Sequence, residues 1–296
     1  MPSLKEVKTR INSVKSTRKI TSAMKMVASA KLHHAQQMIA GMYPYEVKLN
    51  KILTNFLKGD VSFSSPYISV RPVSRVAIVV LSSNTSLCGA FNSNVIKLFK
   101  KTLEDYKTLD KKDVLVYPIG KKIELALRKD GFAAIGSYQK LADSPNYREA
   151  SVIANDLMQK FAAGEIDKVE LIYHHFKSTA VQKLQCVTLL PIDVDKLREE
   201  AAAVKNDVEQ KYLNDYIVEP SVEELIASLL PQVVCQKVFT AVVDSNASEH
   251  AARTMAMQIA TDNADDLIQD LTVQYNKSRQ QAITSELLDI IGGSMK

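Results

Sequence analysis

Apolar side chains recur every three or four residues along both ends of the chain. In the N-terminal segment, they form a stripe, interrupted between residues 15 and 27, that predicts a coiled-coil seam on a long helix. The stripe consists of Leu4, Val7, Ile11, Val14, Ala28, Leu32, Ala35, Ile39, Met42, Leu49, Leu53 and Phe56. In the C-terminal segment, residues 221–296 contain one proline, Pro231, and no glycine before Gly292. Both helices are far longer than the roughly 11–12 residues of an ordinary helix, so we expect them to lie against each other as a shaft.

The N-terminal seam changes character between residues 15 and 27. Its positions there are polar: Arg18, Thr21 and Lys25. The apolar residues move by one position, to Ile20, Met24 and Val27. Two interpretations are open. The seam shifts through a local change of supercoil, or this stretch faces a polar partner.

The middle of the chain has a different period. Segments rich in β-branched residues at 74–83, 113–120, 131–138, 168–176 and 181–190 predict strands. Helical stretches at 92–106, 121–129 and 148–163 separate the first four. This alternation predicts a central Rossmann-like α/β domain with a mostly parallel sheet. The last two strands are close enough in sequence to form a hairpin.

Four regions follow from these patterns. We predict an N-terminal stalk helix at 1–60, an α/β domain at 73–190, a connector at 191–219 and a C-terminal stalk helix at 220–296. The fold class is therefore α/β, with a long antiparallel two-helix coiled coil formed by both termini. Ser221 is the expected N-cap of the last helix, with Glu224 completing a capping box.

The two ends of the chain carry net charges of opposite sign. Residues 1–60 carry eleven Lys and Arg against three acids, whereas residues 221–296 carry five against ten. A basic helix of this kind binds either nucleic acid or an acidic helix, and we favour the acidic helix of the same chain. If residue 57 lies beside residue 221, paired residue numbers sum to about 278. Lys8 then faces Asp270, and Arg18 lies near Asp262, Asp265 and Asp266, as does Lys15.

The last helix is longer than the first and extends beyond its partner from about residue 277. Its end carries the large apolar residues Ile283, Leu287, Leu288, Ile290 and Ile291. Such a tip is not expected to stand bare in water. It predicts a socket in another protein.

Motifs for catalysis are lacking in the sequence. There is no phosphate loop of the form G-x-x-x-x-G-K-[ST], no G-x-S-x-G elbow, no C-x-x-C and no H-E-x-x-H. Adjacent histidines at 33–34 and 174–175 point in different directions and cannot chelate a metal as pairs. The three cysteines are far apart, which fits a reduced protein. We also find no apolar run near 18–20 residues and expect no membrane span. We therefore expect no catalytic, cofactor or metal site, although an α/β enzyme with helical extensions remains an alternative.

Five segments, in this order, resemble the γ subunit of F-type ATP synthases. They are TRKITSAMKMVASAK (17–31), SLCGAFN (86–92), ASEHAARTMAM (247–257), ATDNADDLI (260–268) and YNKSRQQAITSELLDI (275–290). The resemblance extends over essentially the whole chain and is stronger in the stalk than in the central sheet.

The resemblance implies a non-catalytic rotor shaft that couples proton-driven rotation of a membrane ring to ATP synthesis or hydrolysis. The implied partners are the α and β subunits of the catalytic head, the ε subunit and the c-ring, with no nucleic acid. It also implies contacts between β and this chain, with Arg253 either meeting β or linking the helices. These residues are Met24, Lys25, Lys31, Arg253, Arg279, Gln280, Thr284 and Glu286.

Two departures bear on the source of the chain. The inserted cysteine pair of the chloroplast form is missing, and the chain begins at the stalk without a mitochondrial leader. These features favour a bacterial protein that is peripheral to the inner membrane, on its cytoplasmic side.

Overall fold

The computed structural model describes residues 3–57, 65–193, 218–219 and 221–294. Most of the predicted connector at 191–219 lies outside these residues. The chain divides into two compact units, one of Met1–Ala30 with Arg253–Lys296 and the other of Lys31–Ala252. In chain order, the elements are α1 (Leu4–Leu57), a 3-10 turn (Pro66–Ile68), β1 (Val76–Leu81), α2 (Phe91–Asp105), β2 (Val114–Ile119), α3 (Lys121–Asp130), α4 (Gln139–Asp143), α5 (Tyr147–Ala162), β3 (Lys168–Phe176), β4 (Gln182–Leu190) and α6 (Val222–Ser294).

Capping side chains fix where both terminal helices begin. Ser3 and Glu6 form a reciprocal capping box, in which Glu6 N donates to Ser3 Oγ at 3.3 Å and Ser3 N donates to Glu6 Oε2 at 2.9 Å. At α6, Glu224 N donates to Ser221 Oγ at 3.2 Å. Ser221 is therefore the N-cap of α6, as the sequence predicts.

The sheet lies in the unit of residues 31–252 and has the strand order β2-β1-β3-β4. β1 pairs in parallel with both β2 and β3, and β3 pairs with β4 as an antiparallel hairpin. This arrangement confirms the mostly parallel sheet and the final hairpin. All six residues of β1 are buried, which is expected for a central strand covered on both faces.

Helices cover both faces of the sheet. On one face, α2 and α3 pack over Val76, Ile78 and Val80 of β1. On the other, α5 packs over Ala77 and Val79 together with parts of both terminal helices that lie in the same unit. α1 contributes Leu49 and Leu53 to this second core, and α6 contributes residues between Ile226 and Val243. The parts of α1 and α6 that lie in this unit thus belong to its hydrophobic core.

One predicted strand is wrong. Residues 131–138 form only an isolated bridge between Val116 and Ala134. Gly131 and Gly136 both adopt positive φ, at 76° and 75°, and turn the chain at each end of this stretch. Between the two turns, only Ala134 pairs with β2, so these residues do not form a strand.

In the unit of residues 1–30 and 253–296, the α1 seam keeps its phase through the polar stretch. Thr21 and Ala28 are buried, whereas Ile20 and Val27 are 61% and 60% exposed. The shift of the seam to Ile20 and Val27, which the supercoil interpretation requires, is therefore wrong. Ile20 and Val27 therefore lie on the outside of the helix pair, whereas Met24 is half-buried.

Contacts in the same unit give the direction and register of the two helices. Arg18 Nη1 lies 2.6 Å from Asp265 Oδ1, and the hydroxyls of Thr21 and Thr261 are 2.8 Å apart. Residue numbers rise on one helix as they fall on the other, so these segments run antiparallel. The paired numbers sum to 283 and 282, so the predicted register of about 278 is wrong by about five residues. Arg18 nevertheless lies beside Asp265, as predicted.

The expectation of no apolar run long enough to span a membrane also needs correction. Helix α6 contains an 18-residue window that passes that test by length and composition, and 61% of the window is buried inside the protein. A helix of a soluble core has the same properties, and the apolar residues of α6 from Ile226 to Val243 lie in the core described above. We therefore interpret this window as a core helix.

Candidate partner-binding surfaces

The residues implied as partner contacts differ in exposure. On α1, Met24 and Lys25 are half-buried, and Lys31, which belongs to the unit of residues 31–252, is exposed. Arg253 is buried, with 9% of its surface exposed. A buried guanidinium needs partners within its own protein, so the burial of Arg253 favours the linking role over a direct contact with another subunit.

The four implied contact residues near the end of α6 are all exposed: Arg279, Gln280, Thr284 and Glu286. Successive residues of a helix are separated by about 100° around its axis. On that spacing, these four side chains fall within an arc of about 160°, on one half of the helix. Thr284 Oγ1 donates to the carbonyl of Gln280 at 2.9 Å, which fixes the threonine along this face.

Four of the five apolar residues of the tip lie on the same half of α6, and the fifth, Leu288, lies just beyond its border, about 20° around the helix axis from Gln281. Their exposed fractions are 50% for Ile283, 54% for Leu287, 64% for Leu288, 68% for Ile290 and 55% for Ile291. The opposite half carries Gln281, Ala282, Ser285 and Asp289. We call the half that carries Thr284 and Leu287, between Arg279 and Ile291, the tip face. A helix face that combines several bare aliphatic side chains with a few polar groups is typical of a segment enclosed by a partner.

The carboxyl edge of the sheet is where a nucleotide would bind in a related α/β fold. There, the backbone N–H groups in the first turn of α3 are already used by the chain itself. Lys121 N donates to Asn84 Oδ1 at 2.9 Å, Lys122 N to Ser83 O at 3.1 Å, and Ile123 N to Ser82 Oγ at 3.0 Å. The helix N-terminus therefore has no free donors in its first turn with which to hold a phosphate.

Two polar groups, built around the buried Tyr117 and the half-buried Tyr106, were not predicted from the sequence, because their members are distant along the chain. Tyr117 Oη donates to Asp156 Oδ2 at 2.6 Å, and Lys160 Nζ lies 2.7 Å from both. Burial, with a contribution from the Asp156 hydrogen bond, raises the pKa of Tyr117 to about 12. Tyr106, with Glu170 and Lys168, repeats this arrangement, and its pKa is also raised to about 12. Both tyrosines stay protonated at neutral pH, which suits structural hydrogen bonds.

The adjacent histidines of β3 point to opposite faces of the sheet, as their spacing predicts. His174 stacks on Phe91 with ring centroids 4.3 Å apart, and burial lowers its pKa to about 4. His175 Nδ1 lies 2.5 Å from Asp244 Oδ2 of α6. Over the described residues, there is no group of three or more His, Cys, Asp or Glu placed to hold a metal ion.

Comparison with known proteins identifies the family. The family model described as ATP synthase matches residues 3–295. The chain is 63% identical over 298 residues to the ATP synthase gamma chain of Bacteroides thetaiotaomicron and 64% identical over 296 residues to that of Bacteroides fragilis, with 100% of each chain covered in both cases. It is 43% identical over 297 residues to the gamma chain of Flavobacterium johnsoniae, covering 99% of this chain and 98% of the relative.

Solved structures share the fold. A chain of the Euglena gracilis mitochondrial ATP synthase aligns with a TM-score of 0.67 at 20% identity, covering 99% of this chain and 93% of that chain. A chain of the central stalk and c-ring structure of the Tetrahymena thermophila mitochondrial ATP synthase aligns with a TM-score of 0.58 at 24% identity, covering 81% and 99%. From the full-length family match and the bacterial relatives, we conclude that this chain belongs to the γ-chain family of bacterial F-type ATP synthases.

Proposed function

We propose that this chain is the central rotor shaft of a bacterial F-type ATP synthase. It couples proton-driven rotation of the membrane ring to ATP synthesis or hydrolysis at the β subunits and catalyses nothing itself. Each charge that crosses the membrane releases on the order of 2.3 kcal/mol per 100 mV. The shaft delivers that energy mechanically, so it needs a stiff body and a surface that turns against the head.

The tip face is the observation that carries this proposal. Its large aliphatic residues, Ile283, Leu287, Ile290 and Ile291, are half or more exposed near the end of α6. Leaving them in water forfeits the stabilisation that burial gives, at about 25 cal/mol for each Å² of apolar surface. A socket in the catalytic head accounts for the exposure.

The antiparallel two-helix coiled coil of the stalk is part of the same proposal, with the stalk helices at 1–60 and 220–296. In the unit of residues 1–30 and 253–296, it is supported by the Arg18–Asp265 and Thr21–Thr261 contacts. In the unit of residues 31–252, it is supported by the hydrogen bond from Thr240 Oγ1 to Glu46 Oε2 at 3.4 Å.

We assign two contact regions with β. Arg279, Gln280, Thr284 and Glu286 contact β from the tip face, where the polar groups orient the helix and the aliphatic residues fill the socket. Met24, Lys25 and Lys31 face an acidic part of β lower on the shaft. Long-range attraction between basic and acidic surfaces needs no fixed geometry, and this property tolerates rotation.

The remaining partners follow from the place of a γ chain in the complex. The α subunits complete the cavity around the shaft, while the ε subunit and the c-ring contact the α/β domain at 73–190. The protein is then peripheral, on the cytoplasmic side of the bacterial inner membrane. As part of the same proposal, the coupling ion is the proton.

Co-purification with the head subunits tests the assignment. We expect the full chain to recover α, β and ε with ATPase activity. Replacing both Leu287 and Ile291 with Asp, or removing residues 284–296, should lower recovery of the assembled complex or its torque while the α/β domain stays folded. Recovery of nucleic acid in place of the head subunits would contradict the proposal.

The opposite half of the same helix end offers a matched control. Gln281→Asp and Ser285→Asp add the same charge within two turns of Leu287, but on the opposite half of the helix. We expect these two substitutions to leave assembly near the unmodified level. Equal damage from both pairs would show that charge alone, rather than the tip face, decides assembly.

A further inference from the structure

Ten consecutive residues of α6, from Ala241 to His250, are buried within the α/β unit. Consecutive positions of a helix cover all of its sides, so this part of α6 is enclosed all round. Six of the ten residues are polar: Asp244, Ser245, Asn246, Ser248, Glu249 and His250. A fully enclosed helix is normally apolar all round, because buried polar groups cost free energy unless each is hydrogen-bonded.

Three of these residues form hydrogen bonds to other elements of the unit. Asp244 Oδ2 lies 2.5 Å from His175 Nδ1 of β3. Ser248 Oγ donates to the carbonyl of His174, also on β3, at 3.2 Å. Asn246 Nδ2 donates to the carbonyl of Ala142, in α4, at 2.8 Å.

The three contacts hold α6 from two sides. Asp244 and Ser248 are four residues apart, so they lie within about 40° of each other and both meet β3. Asn246 lies about 160° away from each of them, on the far side of the helix, where it meets α4. Rotation of α6 about its axis in either direction must therefore disturb hydrogen bonds on both sides.

Asn246 also reaches the end of the sheet. With Ser245 and Glu249, it lines a small pocket whose other walls include Leu81, Ser82 and Ile119, at the carboxyl ends of β1 and β2. Apolar packing alone has no preferred direction, and helices packed by ridges and grooves have several acceptable settings. Hydrogen bonds with defined partners select one setting, which is the best-attested use of buried polar groups.

We propose that Asp244, Asn246 and Ser248 are positioning residues that fix the rotational setting of α6 inside the α/β unit, so that torque passes between the unit and the helix without slip. This inference rests on the rotor function proposed above. It assigns torque transfer within the chain to a particular set of hydrogen bonds.

The first test uses the assembled complex. Asn246→Leu keeps the approximate volume and removes the hydrogen bond to Ala142. Because the restraint on the α4 side is lost, we expect the torsional stiffness between the α/β unit and the head to fall. The stiffness is obtained from the rotational fluctuations of a probe on the unit while the head is held. ATP-driven proton pumping per ATP should fall as well, with unloaded ATP hydrolysis unchanged.

Tyr106→Phe is the matched control. It also removes a side-chain hydrogen bond, which is part-buried and runs to Glu170 at 2.7 Å, but on the sheet face covered by α2 and α3. We expect wild-type stiffness from this variant. Equal softening by Tyr106→Phe and Asn246→Leu, or wild-type stiffness in Asn246→Leu, would overturn the inference. If Asn246→Leu does not fold, Ser248→Ala makes the same comparison with a smaller change.

A second test uses the isolated chain instead of the assembled complex, so its outcome does not depend on the rotor function. Spin labels at positions 227 on α6 and 183 on β4, both exposed, report the rotational setting of α6 in the full isolated chain with Cys186 replaced. We expect a narrow distance distribution in the parent and a broader one in Asn246→Leu and Asp244→Asn. An unchanged distribution in both variants overturns the inference, whereas failure of the parent to co-purify with head subunits counts against the rotor function alone.

Discussion

His174 shows how one buried side chain makes stability depend on pH. Its pKa falls from 6.5 to about 4 because burial disfavours the charged imidazolium. Between pH 6.5 and 4, the unfolded chain binds this proton more readily than the folded chain. The free energy of unfolding therefore falls as the pH falls through this window, by about 3 kcal/mol once the pH is below both pKa values.

Replacing His174 should reduce the loss of unfolding free energy that occurs as the pH falls below 7. We expect His174→Gln to lose less stability than the parent between pH 7 and pH 4.5, whatever its stability at pH 7. Urea unfolding of the full chain at several pH values measures the difference. His34→Gln, at an exposed site on α1, is the control and should keep the parent slope. An identical slope in His174→Gln would show that the imidazole is not held neutral.

At the scale of elements, the sequence predicts what local pattern decides. The 3.6-residue period of α1 and α6, the Ser221 cap and the β3–β4 hairpin all have nearby signals, and the structure confirms them. The strand at 131–138 has the right residue types. However, two glycines with positive φ turn the chain at both ends of residues 132–135, and a propensity argument does not detect those turns.

Helix register was predicted less well, for a physical reason. Basic residues recur along α1 and acidic residues along α6, so several registers place opposite charges together. The Arg18–Asp265 pair is itself exposed, with side-chain accessibilities of 44% and 51%, and such pairs contribute little. Buried contacts decide the register instead. Likewise, the polar residues of α6 between 244 and 250 have partners on β3 and α4, which a single helix pattern does not reveal.

The contact between α1 and α6 around Ala35 gives a testable prediction at the scale of elements. Leu32 and Ala35 of α1 pack with Ala247 and Ala251 of α6 in one buried cluster. Ala35→Leu places three more carbon atoms where no space exists and should cost about 1–3 kcal/mol of stability. Thermal unfolding of the full chain measures this loss.

Ala40→Leu makes the same substitution on the same helix, at an exposed position. Its effect should stay within about 0.5 kcal/mol, because surface substitutions away from special features are nearly neutral. If Ala35→Leu were equally neutral, the cluster would be looser than the buried fractions of its residues indicate.

At the scale of the whole molecule, charge is distributed in a way that suits a turning contact. The first 60 residues carry eight more basic than acidic side chains, and residues 11–40 contain no acid. If this surface moves past acidic groups of β, it is attracted at every angle without a single fixed pair. An added positive charge at the proposed contact should deepen that attraction and hinder passage between rotational states.

Met24→Lys tests this idea within the complex. We expect ATP-driven proton pumping to fall relative to ATP hydrolysis, with the chain folded as before, because the half-buried Met24 is on the surface proposed to face β. Met26→Lys adds the same charge on the same turn but points about 160° away, from a side chain that is 65% exposed. Pumping in Met26→Lys should match the parent. Equal losses in the two variants would mean that net charge, not the face of α1 that carries it, governs coupling. Unchanged pumping in Met24→Lys would show that this residue does not take part in the proposed contact with β. The proposed contact at the tip face rests on separate observations and would not be affected.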